Sequence, residues 1–115
     1  MAYTYLFFIP NRLPLSPEDL SEETVEALTD LVAVKAALKS VMPSLEWLPE
    51  GWGQGETPEG NWVEFNIAPG GTLGMRCSLR ANYRTHVQFI CDELNWIAID
   101  ETPVCFQPHR EPIGT

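Results

Sequence analysis

Histidine, cysteine and paired carboxylates are the side chains with which a short chain would do chemistry, and here they are too scattered for it. His86 and His109 are the only histidines. Cys91 follows His86 by five positions in a stretch that reads as helix, so the two project to different faces and cannot serve as nucleophile and base. No two cysteines or histidines have the spacing of a metal-ligand pair, and neither a metal nor any other cofactor is expected. The pairs Glu22-Glu23, Asp92-Glu93 and Asp100-Glu101 are adjacent in sequence, so helix or strand geometry splays each apart as solvated surface. An enzyme is not expected.

Recognition is better supported. Asp and Glu number 16 against 7 Lys and Arg, a formal net charge of −9. Such a chain repels nucleic acid and anionic membranes, so neither is an expected partner. It suits a basic protein. Residues 43–60, PSLEWLPEGWGQGETPEG, carry Trp47, Glu50, Trp52, Glu56 and Glu59 along with Glu46. Aromatic anchors ringed by carboxylates would engage a basic partner, and Glu22, Glu23 and Glu26 would steer its approach. Each feature also has a plainer explanation. Acids at a helix start complement its dipole, and tryptophans in loops often fold back onto the core. The GWGQG glycines lack the strand before and the helix after that a dinucleotide fingerprint needs. Arg76, Arg80 and Arg84 form the single basic cluster. They could hold a phosphate or carboxylate at the start of a helix, or simply neutralise acids such as Glu64.

The elements that must position these residues follow from hydrophobic period. Tyr3–Ile9 is apolar on both faces and reads as a central strand. Ser16-Pro17-Glu18-Asp19 is a helix start, and Leu20, Leu28, Leu31, Val32, Leu38, Val41 and Met42 extend a helix over about 17–41, stopped by Pro43. Residues 43–60 show no period and read as one long connection, far beyond the ~4–6 residues of an ordinary one. Val63, Phe65 and Ile67 then alternate with polar residues, as do Leu73, Met75, Cys77 and Leu79. A hairpin keeps both sets on one face only if Ile67 meets Leu73, Phe65 meets Met75 and Val63 meets Cys77. Its loop is Pro69-Gly70-Gly71, and Trp62, Glu64, Arg76 and Arg80 face outward. Val87, Ile90, Cys91 and Leu94 make the stripe of a second helix, with Asn82 as its N-cap. Trp96–Ile99 and Val104–Phe106 read as extended segments.

This order predicts an α+β, ferredoxin-like β-α-β-β-α-β fold: a four-stranded antiparallel sheet with two helices on one face. One domain spans residues 1–107, and residues 108–115 read as a loosely held tail. No apolar run reaches the ~20 residues that span a bilayer, and the N-terminus lacks the basic start of a signal peptide. Cys77, Cys91 and Cys105 form no CxxC pair and read as reduced thiols, pointing to the cytoplasm.

YTYLFFIP, ICDELNW running into IAIDETP, and the order of elements resemble small bacterial immunity proteins of toxin–immunity systems. The resemblance spans about half the chain and implies a cytoplasmic protein that binds a cognate toxin and blocks its active site. It carries over no individual residue. Two other classes stay open: a small regulatory module holding an anionic metabolite at Arg76, Arg80 and Arg84, and a subunit of an obligate assembly, such as a homodimer, motivated by the two-faced first strand.

Overall fold

In the computed structural model the chain runs through β1 (Ala2–Pro10), a 3-10 turn (Pro17–Asp19), β2 (Val25–Glu26), α1 (Leu31–Val41), β3 (Glu46–Trp47), β4 (Trp52–Glu56), β5 (Trp62–Ala68), β6 (Thr72–Ser78), α2 (Arg84–Leu94), β7 (Ile97–Ile99) and β8 (Cys105–Phe106). The structure describes residues 2–12, 17–19, 21, 23–26, 30–48, 52–68, 72–78, 81–102, 104–109 and 111–112.

The fold is α+β, but the ferredoxin-like plan is wrong. Among the described residues eight strands, not four, form the sheet, in the order β3-β4-β5-β6-β1-β7-β8 with β2 attached to β1, and each of these pairings is antiparallel. The four strands read from the sequence are the middle of a larger sheet. β3 and β4 extend it on one side and β8 on the other.

β1 lies centrally because its residues are apolar on both faces, and it hydrogen-bonds to β6 on one side and β7 on the other. The β5–β6 register is the one the alternation demands: Val63 opposite Cys77, Phe65 opposite Met75 and Ile67 opposite Leu73. Tyr5 and Phe7 fall in the same rows, so one continuous apolar face runs across three strands. Val34 and Leu38 of α1 pack on that face beside Val87, Ile90 and Cys91 of α2. Phe7 sits at the centre, with ring centroids 6.1 Å from Phe65 and 6.3 Å from Trp96. Such tilted aromatic pairs add about 0.5–1.5 kcal/mol beyond the area they bury.

The expected helix over 17–41 is only half present. Within its span, the 3-10 turn stops at Asp19, and Thr24 explains the break. Its hydroxyl donates to the Asp19 carbonyl (2.7 Å) and accepts from the Ser21 N–H (2.9 Å), a local arrangement that competes with helix. Val25 and Glu26 then pair with Pro10 and Ile9. The helix starts later, where Asp30 Oδ1 accepts from the Ala33 N–H at 3.0 Å. In α2 the cap is displaced by one residue. Tyr83 holds the N-cap position, and Asn82 Oδ1 reaches past it to the Arg84 N–H at 2.9 Å. Asn95 ends the helix in the left-handed conformation, at φ 55°.

Residues 43–60 are likewise not a single loose connection. β4 pairs with β5 along five residues, and β3 folds back onto β4. The strand is hard to see in sequence because its core-facing positions are Gly53 and Gly55, opposite Phe65 and Val63. No apolar side chain marks the inward face there. The volume is filled instead by residues just before it: a Cβ on Gly53 would stand 3.0 Å from the Trp47 ring, and one on Gly55 3.1 Å from Leu45 Cα.

Polar groups reaching across from the helices occupy both ends of the sheet. Lys39 Nζ donates to the Leu45 carbonyl beside β3. Gln88 Nε2 donates to the Gln107 carbonyl (2.6 Å) and Asp92 Oδ1 accepts from the His109 N–H (2.6 Å) beyond β8. Pro108 is buried. An edge blunted this way is a poor template for pairing with another chain.

Candidate protein-binding face

With both helices on one side, the other side of the sheet divides in two. Toward β7 and β8 it is covered: Ile97 and Cys105 are fully buried there, packed with Phe8, Ile99 and Val25 of β2. Toward β3, β4, β5 and β6 it carries the outward positions of four strands and of β1.

Strand register fixes what those positions are. One row runs Glu46, Gln54, Glu64, Arg76 and Thr4 across five neighbouring strands. With strands about 4.8 Å apart, it spans about 19 Å. A second row places Glu56 opposite Trp62, and a third places Trp52, Asn66, Gly74 and Leu6 side by side. Trp62 is 42% exposed and Leu6 37%. Among the described residues, the carboxylates of Glu46, Glu56 and Glu64 and the guanidinium of Arg76 stand on this face. Arg76 Nη1 lies 3.5 Å from Glu64 Oε1. The guanidinium is half exposed, so the pair contributes at most about 1 kcal/mol.

The residues expected to meet a partner are therefore only partly together. Trp52 and Glu56 lie on the outer face. Trp47 does not. It points to the helix side, stacked over Gly53, with Lys35 Nζ 5.5 Å from its ring centroid and its indole N–H buried without a partner. Glu59 is exposed on the β4–β5 turn, and Glu23 and Glu26 are exposed around β2. Glu22, Glu50 and Arg80 lie outside the described residues. Glu46, Gln54, Trp62 and Glu64 take the places that the loop reading gave to others. Once the run from Trp52 to Glu56 is seen as a strand, the same alternation that orients β5 and β6 finds them.

The described arginines do not converge. Arg76 is on the outer face, whereas Arg84 begins α2 on the helix side, with its guanidinium 5.7 Å from the Phe106 ring centroid and 3.8 Å from Asp100 Oδ2. Arg84 borders a cavity of about 350 Å³ that Tyr3, Tyr5 and Tyr83 also line. Asp100 is buried. Burial alone would raise its pKa, but hydrogen bonds from Thr102, Val104 and Tyr3 outweigh that and hold it below the usual 3.8. Its contacts with the Thr102 N–H (2.9 Å) and Val104 N–H (2.7 Å) make it the organiser of the β7–β8 turn.

Among the described residues, Cys91 and His86 are not placed as nucleophile and base. Cys91 is fully buried, and burial pushes its thiol far above its ordinary pKa of 9.0. His86 stacks on Phe89 at 6.4 Å, its Nε2 buried without a partner. Burial lowers its pKa below 6.5, although Glu59 pulls the other way. Among the described residues no three His, Cys, Asp or Glu side chains are placed to hold a metal ion, and no helix is long and apolar enough to cross a membrane. No family model, curated protein or solved structure matches the chain.

Proposed function

We propose that this protein is a cytoplasmic immunity protein, a non-enzymatic inhibitor that binds a basic toxin through the outer sheet face and blocks its active site. One observation carries the proposal: the half of that face between β3 and β1 exposes Glu46, Glu56 and Trp62 and carries the half-buried Trp52 and Glu64 among them. Sheet positions fix the backbone beneath these side chains, so little is lost in ordering them on association. Indole rings supply apolar contact area, and the carboxylates steer a cationic partner toward it. The three buried thiols suit a reducing compartment.

The test is co-expression with the product of the adjoining reading frame, comparing the native chain with the triple variant Glu46→Lys, Glu56→Lys, Glu64→Lys. Glu46 and Glu56 are exposed, whereas Glu64 is mostly covered and paired with Arg76, so circular dichroism checks that the fold survives and the double variant Glu46→Lys, Glu56→Lys serves if the triple one does not fold. Capture of the partner should fall at least tenfold, and the loss should be greatest at low salt. Undiminished capture would rule this face out as the binding surface.

A further inference from the structure

Where β1, β6 and the start of α2 meet, Tyr3, Tyr5, Tyr83, Cys77 and Ala81 wall a cavity of about 350 Å³, with Arg84 at its border. It lies on the helix side of the sheet, apart from the outer face. Its size is within the ~300–1,000 Å³ of small-molecule sites, at the lower end, where one ring fits.

Two of the three phenols are satisfied inside the protein. Tyr83 Oη donates to the Trp62 carbonyl and accepts from the Ser78 N–H, and Tyr3 hydrogen-bonds to Asp100. Tyr5 is different. It is only 4% exposed, yet its hydroxyl has no hydrogen-bond partner among the described residues. Burial pushes this phenol above its ordinary 10.0, so it stays protonated and able to donate. Arg84 is a second donor without an acceptor: at 3.8 Å from Asp100 Oδ2, its guanidinium is beyond hydrogen-bond reach. The two donors flank the same ring, with the Phe106 centroid 5.9 Å from that of Tyr5 and 5.7 Å from the guanidinium. In a chain with 16 Asp and Glu, no described residue lining this cavity is acidic.

We propose that this cavity binds a small aromatic carboxylate, its ring among the tyrosines and its carboxylate on the Arg84 guanidinium and the Tyr5 hydroxyl. Unmatched donors select an acceptor, and the fixed fork of a guanidinium matches a carboxylate best. Aromatic walls select a ring, which packs on them edge-on or offset. A guanidinium on the border disfavours a cation.

Benzoate, benzyl alcohol and acetate are titrated separately into the isotope-labelled full chain while backbone amides are followed by NMR. Benzoate should shift Ser78, Ala81, Asn82 and Arg84 saturably, and the two fragments that lack its charge or its ring should bind at least tenfold more weakly. Tyr5→Phe removes a hydroxyl that has no partner to lose, so the fold should survive while benzoate affinity falls about fivefold. Arg84→Gln should cost at least tenfold. Benzyl alcohol binding as well as benzoate would overturn the carboxylate, and acetate doing so would overturn the ring. If benzoate shifts none of these amides, or binds Tyr5→Phe as tightly as the native chain, the site itself is overturned. None of these results bears on the outer sheet face, which the Glu46 and Glu56 variants test.

Discussion

Replacing Gly55 by alanine should destabilise the protein, whereas the same replacement at Gly74 should stabilise it. Both are strand glycines, so the gain from restricting the unfolded chain is similar at each, about 0.5–1 kcal/mol. What differs is the space. At Gly74 the new methyl meets nothing nearer than 3.7 Å. At Gly55 it would stand 3.1 Å from Leu45 Cα, 3.1 Å from Met42 Sδ and 3.3 Å from Leu45 N. The Met42 side chain can move, but the Leu45 backbone is held by the Met42 carbonyl at its N–H and by Lys39 at its own carbonyl. Overpacking of this kind costs about 1–3 kcal/mol, leaving a net loss of about 0.5–2 kcal/mol. Near the midpoint a 115-residue domain unfolds with about 0.24 kcal/mol per kelvin of entropy. The melting temperature should thus fall by about 2–8 °C for Gly55→Ala and rise by about 2–4 °C for Gly74→Ala. Urea unfolding at constant m-value should give the same order. If Gly55→Ala proved as stable as Gly74→Ala, the segment before β4 could not be clasped against the sheet as described.

Tyr83→Phe removes a hydroxyl that donates to the Trp62 carbonyl (2.7 Å) and accepts from the Ser78 N–H (3.3 Å); urea unfolding should show a loss of about 1–3 kcal/mol. Acid should weaken the fold in two windows. His86 is held below its ordinary 6.5, so its contribution is complete above that pH and declines as pH falls below it; His86→Gln should flatten this part of a stability–pH profile. Asp100 is held below 3.8, so its contribution is complete above that pH and is lost as pH falls through its lower folded value, a second decline that Asp100→Asn should remove. All three thiols are buried, with Cys77 pushed up to about 12 and Cys105 to about 11. A thiol reagent at about pH 8 should find none of them in the native protein and all of them once it is unfolded.

The parts of the fold visible in sequence are those where apolar side chains mark the period. Val63, Phe65, Ile67 and their partners on β6 announce the hairpin and its register, and Val87, Ile90 and Cys91 announce the inward face of α2. Gly53 and Gly55 hide β4 because the atoms packing against β5 there come from Trp47, Leu45 and Met42 rather than from the strand itself. That one concealment hid β3 and β4 from the sheet and made residues 43–60 read as a single connection. It also misplaced the site, since the two tryptophans of that segment face opposite sides of the sheet. The early helix failed for a different reason. Acids and a proline favour a helix start at residue 17, but the Thr24 hydroxyl offers the neighbouring backbone a competing local arrangement, and the pairing of Val25 with β1 is a tertiary effect that local propensity does not contain.

Amide hydrogen exchange on the free protein and on its complex with the captured partner measures the docking face itself. Slowed exchange should be concentrated in residues 52–56, 62–66 and 74–76, with α1 and α2 unchanged. Slowing confined to the two helices, with those strands unaffected, would place the partner on the opposite side of the molecule and contradict the central claim.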